Sequence, residues 1–183
     1  RGNDVAKFVS LIEGQSNIEA KAIAITEDLN IPTIWPDGIA TSYRRAEFGD
    51  ESGSSSLRED MRHIPFVTID GDDAKDFDDA VFAEFLNNDK LWRLVVAISD
   101  VSAYVGLGTP LDDEARRRGT SVYFPGLVFP MLPEALSNGI CSLQPEKDRL
   151  SLVVDIKITS NGRIQSFMFH QAIICSRARL TYE

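Results

Sequence analysis

The chain has 183 residues, 43% of them hydrophobic and 26% charged, an ordinary balance for a globular chain with room for one core. No apolar run approaches bilayer length, so a membrane partner is not expected, and Arg1-Gly2-Asn3-Asp4 has no pattern of a secretory leader. A net charge of −9 argues against a large nucleic-acid-binding surface made by this chain alone.

No Met begins the chain, which reads as a piece of something longer. Residues 4–13 mix apolar and polar side chains without a decisive period, leaving strand and helix both open. Ser16-Asn17-Ile18-Glu19 has the form of a capping box. Ile18, Ala22, Ile25 and Leu29 follow at helical spacing, and Pro32 closes the segment. Residues 47–56 are polar, with Gly49, Gly53 and three consecutive serines, and predict a linker.

Strands are predicted over residues 66–69 and 80–85, with an acidic segment between them. Asn87-Asn88-Asp89 predicts a turn, and residues 91–98 a buried strand rich in Val and Leu. Thr109-Pro110 opens the clearest helix, with acids in its first turn, Arg116, Arg117 and Arg118 in its last and Gly119 after it. The three arginines read first as complements of the helix C-terminus, and phosphate contact is the lesser reading. Residues 150–158 alternate, with Leu152, Val154, Ile156 and Ile158 on one face. Asn161-Gly162 signals a type I′ turn before a returning strand over residues 163–174. The pattern as a whole predicts an α+β fold, with a mixed, largely antiparallel sheet flanked by helices. Cys141 and Cys175 fit no metal spacing and are expected to be buried free thiols in a reducing cytoplasm.

Between Asp70 and Asp79 stand six aspartates and one cation, Lys75. Two unit charges 4 Å apart repel by about 1 kcal/mol even in bulk water, and by more when partly buried. A solvated acidic loop is the ordinary explanation of such a run. Against it, the acids abut strand patterns at both ends, and Phe77 inside the run implies packing. If the carboxylates are held together, they need protons or hard cations such as Mg²⁺, Mn²⁺ or Ca²⁺ to offset the repulsion.

An EF-hand loop fails, because its fifth, sixth and twelfth positions are Ala74, Lys75 and Val81. Asp72-Asp73-Ala74-Lys75-Asp76 matches a diphosphate-binding DDxxD string, but that chemistry belongs with all-helical bundles. Asp76-Phe77-Asp78 is a short DxD match of the kind found in sugar-nucleotide sites. Four carboxylates balance two Mg²⁺ ions, so a two-metal nuclease is also permitted. Chemistry alone does not choose among these.

A resemblance does. Ile64-Pro65-Phe66-Val67-Thr68-Ile69-Asp70-Gly71, continued by Asp76-Phe77-Asp78-Asp79-Ala80-Val81, closely resembles the opening of the catalytic domain of the ribonuclease II and ribonuclease R family. The similarity runs on through Val96-Ala97-Ile98-Ser99-Asp100-Val101-Ser102 and Arg118-Gly119-Thr120-Ser121-Val122-Tyr123-Phe124-Pro125. It resumes at Pro130-Met131-Leu132-Pro133, Leu136-Ser137-Asn138-Gly139, Cys141-Ser142-Leu143 and Ala178-Arg179-Leu180-Thr181-Tyr182. Residues 119–125 are more similar to the ribonuclease R branch.

The resemblance implies that residues 61–183 are the N-terminal part of an RNB-type catalytic domain. Residues 17–60 would be helix and linker, and residues 1–16 the tail of a preceding cold-shock domain. It implies a cytoplasmic, processive 3′→5′ exoribonuclease that hydrolyses single-stranded RNA to nucleoside 5′-monophosphates with Mg²⁺, or with Mn²⁺ in its place. No obligate protein partner is implied. The family's metal ligands fall on Asp70, Asp76, Asp78 and Asp79, with Asp78 central to the chemical step. Tyr123 falls on the tyrosine that holds the 3′-terminal nucleotide. Asp72 and Asp73 have no family role. Further site residues, an arginine on the scissile phosphate and a second stacking aromatic, would lie beyond position 183, so the isolated chain is expected to be inactive. The alternative is a non-catalytic domain of the same fold that binds metal or RNA; the intact aspartate set argues against it.

Overall fold

A computed structural model describes residues 17–43, 58–88 and 90–182. The possible strand or helix over residues 4–13, Ser16 of the capping box, the serine linker and Asp89 of the predicted turn lie outside the described residues. Helix α1 spans Asn17–Asp28. Strands β1 (Glu59–Asp60), β2 (Val67–Asp70), β3 (Asp79–Leu86) and β4 (Leu91–Ser99) follow, then helix α2 (Pro110–Arg118). The short strands β5 (Val122–Phe124) and β6 (Leu127–Phe129) precede a π-helical segment at Ala135–Ile140. Long strands β7 (Asp148–Thr159) and β8 (Ile164–Cys175) and the short β9 (Ala178–Thr181) complete the order.

Seven strands form one sheet in the order β1-β8-β7-β4-β3-β2-β9, and β5 and β6 form a separate hairpin. The β3–β4, β4–β7, β7–β8 and β2–β3 pairs are antiparallel; only the outer strands β1 and β9 pair in parallel. The expected α+β architecture with a largely antiparallel sheet is therefore the one observed. Among the described residues no helix is long and apolar enough to cross a membrane.

Two apolar clusters hold the molecule together. The first lies on one face of the sheet and unites Phe66, Ala80, Val95, Ala97, Val153, Ala172 and Ile174 with Phe77 and Leu143 from the connecting loops. The second gathers Tyr104, Leu111, Ala115, Leu132, Leu136, Cys141 and Leu150, with Trp35 and Ile39 packed against it. Helix α2 is seated in this second cluster. Its N-cap is Thr109, whose Oγ1 accepts from the Asp112 amide, and Gly119 ends it at φ 75°, as the capping pattern predicts.

The structure corrects one expectation, the type I′ turn, and adds which positions of two periodic segments are buried. Helix α1 forms, but Ala22 and Thr26 are its buried positions, while Ile18, Ile25 and Leu29 are exposed. Small Ala22 permits close approach, and Thr26 can be buried because its hydroxyl donates to the Ile23 carbonyl at 2.8 Å. In β7, Leu152, Val154, Ile156 and Ile158 do share a face, but Leu152 is 45% exposed while its neighbour Val153 is 1% exposed. A central strand carries apolar side chains on both faces, so alternation alone does not name the inner one. The β7–β8 hairpin turns without a type I′ geometry: Gly162 is left-handed at φ 80°, whereas Asn161 is not. The Gly162 amide donates to the Thr159 carbonyl, and Thr159 and Arg163 pair across the loop. That is a three-residue loop, with the left-handed residue a glycine.

Arg118 ties the layers together. It is 2% exposed in its side chain and bonds Glu114 at 2.9 Å, and it donates to the carbonyls of Pro32, Ile34 and Pro130. Its guanidinium also lies 3.8 Å from the Trp35 ring centre. Arg117 pairs with Glu114 and Arg116 with Asp112, so the triplet serves the helix and its neighbours. Breaking a buried ion pair leaves an uncompensated charge, so Arg118→Ala is predicted to cost about 3 kcal/mol of stability. Arg116→Ala, at an exposed site, should stay within about 0.5 kcal/mol. Urea denaturation of both variants measures the contrast.

Candidate active site

The acidic segment is the connection between neighbouring strands. Strand β2 ends at Asp70 and β3 begins at Asp79, and Val67 pairs with Val81 across them. Both ends of the loop therefore lie at one end of the sheet, and the intervening chain must fold back over that edge. Its backbone is held at several points. The Gly71 amide donates to Asp70 Oδ1 at 2.7 Å, and the Ala74 amide to the Gly71 carbonyl at 3.1 Å. Phe77 is buried in the first cluster. Its amide donates to Ser142 Oγ at 3.1 Å, and the same hydroxyl donates to the Lys75 carbonyl at 2.8 Å. The Leu143 amide donates to the Phe77 carbonyl and the Ser99 amide to the Asp78 carbonyl. The packing inferred from Phe77 is thus present, and an unrestrained solvated loop is excluded.

Two cavities adjoin this loop. One of about 390 Å³ is lined by Asp76, Asp78, Ser99, Tyr123, Ser137 and Cys141, among others. The other, about 670 Å³, is lined by Asp70, Asp73, Asp76, Asp78 and Tyr123 together with the β5–β6 turn. Asp76, Asp78 and Tyr123 line both, and so mark where the cavities meet. Asp79, the first residue of β3, and Asp72 line neither. Asp73, with no role expected from the sequence, does border the larger cavity.

Tyr123 is 62% exposed, and its hydroxyl donates to Asp76 Oδ2 at 2.8 Å. The ring hangs from the β5–β6 hairpin, which is closed at its base by the Met131 amide donating to Ser121 Oγ at 2.9 Å. Burial raises the phenol pKa, and the hydrogen bond to Asp76 raises it further, so the tyrosine keeps the proton it donates.

Asp78 carries the electrostatic consequence of the cluster. Crowding by protein atoms raises its carboxyl pKa, and the charges of Asp76, Asp79 and Asp70 raise it further. Three of the aspartates singled out by the resemblance, Asp70, Asp76 and Asp79, are therefore within electrostatic reach of the fourth, Asp78. Among the described residues, however, no three His, Cys, Asp or Glu side chains converge closely enough to hold an ion as they stand. The carboxylates share a neighbourhood and remain spread. Cys141 borders the smaller cavity, but burial pushes its thiol up to about 12, which keeps it a protonated, unreactive group. Both cysteines are free and buried, as expected.

The family model described as RNB domain matches residues 58–183. The chain belongs to the RNB domain family. It is 51% identical over 152 residues to the ribonuclease R of Escherichia coli (strain K12), covering 83% of this chain and 19% of that protein. It is 39% identical over 195 residues to the ribonuclease R of Thermotoga maritima, covering 98% of this chain and 27% of that protein. The structure is similar to that of Mycoplasma genitalium RNase R in complex with ribose-methylated single-stranded RNA. That match has a TM-score of 0.84 at 32% identity, over 93% of this chain and 26% of that one. Yeast Ssd1, described as a pseudonuclease, matches at a TM-score of 0.65 and 22% identity, which shows a shared fold. The chain thus spans about a fifth to a quarter of the relatives named here.

Folding favours the protonated form of Asp78, because its pKa is higher in the folded than in the unfolded chain. That contribution is complete below the ordinary carboxyl range and is lost as pH rises through the elevated value. Asp78→Asn removes the charge, and is predicted to raise the thermal midpoint of the cation-free chain at neutral pH. The gain should vanish below about pH 4, where an ordinary Asp is itself protonated. Thermal melts in chelator across pH provide the measurement.

Proposed function

We propose that this chain is the N-terminal part of the catalytic domain of a processive 3′→5′ exoribonuclease, and that Asp70, Asp76, Asp78 and Asp79 hold its Mg²⁺ ions. One observation carries the reading: a packed loop sets Asp70, Asp76 and Asp78 on the walls of two cavities that meet at Asp76, Asp78 and Tyr123, with the Asp79 charge acting on Asp78 from the adjoining strand. The donor set fits the ion. It is made of hard carboxylate oxygens, it is rigidly attached through its backbone, and its mutual repulsion is relieved by a divalent cation. The remaining movement is a local one, since the carboxylates need to close in and Asp76 to share or leave its bond with Tyr123.

When bound, Mg²⁺ supplies an activated water and charge stabilisation for phosphodiester hydrolysis. The chain's own residues do the rest. Asp78, on which the charges of Asp70, Asp76 and Asp79 all act, orients the reacting centre. Asp70 and Asp79 sit at the ends of adjacent strands and fix the outer ligand positions. The exposed face of Tyr123 offers a platform on which a terminal base stacks, and its hydroxyl aligns Asp76. Single-stranded RNA, entering by its 3′ end, is the substrate this arrangement suits. The parent is proposed to be cytoplasmic, with residues 1–16 belonging to a preceding cold-shock domain.

With net charge −9, this chain has little of its own with which to grip a polyanion, so processive binding is assigned to other parts of the parent protein. Two outcomes test the reading. The full-length parent should shorten single-stranded RNA from the 3′ end, and Asp78→Asn should abolish turnover while leaving RNA binding; undiminished cleavage by that variant would remove Asp78 from its role. The isolated chain should show little cleavage but should bind Mn²⁺ in a calorimetric titration, with binding weakened in Asp70→Asn.

A further inference from the structure

The motif Ala178-Arg179-Leu180-Thr181-Tyr182 stands far from the aspartates in sequence and received no role above. Strand β9 pairs in parallel with β2, with Arg179 opposite Thr68 and Thr181 opposite Asp70. This register sets Arg179 beside the loop that leaves β2. Its Nη2 donates to the Gly71 carbonyl at 3.0 Å and also to the Asp72 carbonyl. The guanidinium carbon lies 5.4 Å from the centre of the Phe77 ring. The Nε atom is buried and has no hydrogen-bond partner. One side chain thus binds the beginning of the acidic loop by hydrogen bonds and places its positive charge within cation–π range of the Phe77 ring farther along it.

We propose that Arg179 is a positioning residue for the carboxylate cluster, clamping Gly71 and Asp72 against Phe77 so that Asp70 and Asp76 face a common cavity. This rests on the reading of the aspartates as cation ligands. The choice of partners is the informative part. An arginine among six aspartates has carboxylates available to it, yet these hydrogen bonds go to backbone carbonyls. The loop is therefore restrained without these hydrogen bonds occupying carboxylate oxygens that a cation needs. Ser142 restrains the second half of the loop through Lys75 and Phe77; Arg179 restrains the first half. A lysine retains the charge but lacks the planar fork of donors, so it is expected to replace Arg179 only in part.

The test uses the 183-residue chain and reads two quantities. In Arg179→Ala, backbone amides of Ala74 and Phe77 should exchange with solvent faster in chelator, with Val95 and Ala97 in the central strand unchanged. Mn²⁺ affinity by calorimetry should fall about tenfold or more, the usual loss when a residue orienting the ligands is removed. Arg179→Lys should be intermediate in both, and it carries the test if the alanine variant does not fold. Arg177→Ala removes a cation from the same edge that donates instead to the Arg62 carbonyl, and should change neither quantity. Unchanged exchange at Ala74 and Phe77 would overturn the clamp. Faster exchange with undiminished Mn²⁺ affinity would overturn its service to the ligands, and full recovery by lysine would reduce it to a point charge and overturn it too. An unmodified chain that binds no Mn²⁺ would instead defeat the cation reading of the aspartates, while the exchange arm still judges the clamp.

Discussion

Carboxylates that repel one another can be held in one place only if the backbone carrying them is fixed by something else. In this chain the fixing is done by the connection between β2 and β3. The loop leaves one strand and enters its immediate neighbour, so its two ends cannot drift apart. Between them Phe77 is sunk into the apolar cluster under the sheet, and main-chain groups of Lys75, Phe77 and Asp78 are bonded to Ser142, Leu143 and Ser99. The cost of crowding is visible at Asp78, whose proton is held more tightly than in an ordinary aspartate. Apolar burial and backbone hydrogen bonds supply the restraint.

The rest of the described fold serves the opposite wall. Helix α2 contributes Leu111 and Ala115 to the second cluster, and its last residue, Arg118, reaches the Pro130 carbonyl just beyond the β5–β6 hairpin. That hairpin presents Tyr123 to Asp76. The tyrosine and the aspartates thus belong to two different packed units that meet across the cavities. In the proposed reading, a site divided in this way lets one unit take a base while the other takes the phosphate.

Much of the secondary structure was legible in local chemistry. Thr109, Pro110 and Gly119 bracket α2 because caps and helix-fixing residues act within a few positions of themselves. Strands β3, β4, β7 and β8 were visible as apolar runs of the right length. Which face of a helix or strand is buried was less legible. In α1 Ala22 and Thr26 are buried while the larger Ile18 and Ile25 are exposed, and in β7 Val153 is buried while Leu152 is exposed. Burial depends on what packs opposite, and a periodic pattern contains no information about the opposing surface. The hairpin after β7 followed the same logic, since Asn161-Gly162 is compatible with more than one turn and the pairing of Thr159 with Arg163 selected among them.

The aspartates were found from their own sequence, because residue type, spacing and the motif around them all lie within ten positions. Tyr123 was found only through the longer resemblance, and its bond to Asp76 spans 47 positions. Arg179 and Ser142 were present in recognisable motifs, yet their work on the loop had no local signal at all. Sequence by itself determined which carboxylates are candidates, the strands that bracket them and the family to which the pattern points. Tertiary structure decided how the loop carrying those carboxylates is held, through contacts that exist only once β9 lies beside β2 and Ser142 lies against Lys75 and Phe77. Local conformation and chemical type are properties of neighbouring residues, whereas restraint against charge repulsion requires partners from distant parts of the chain.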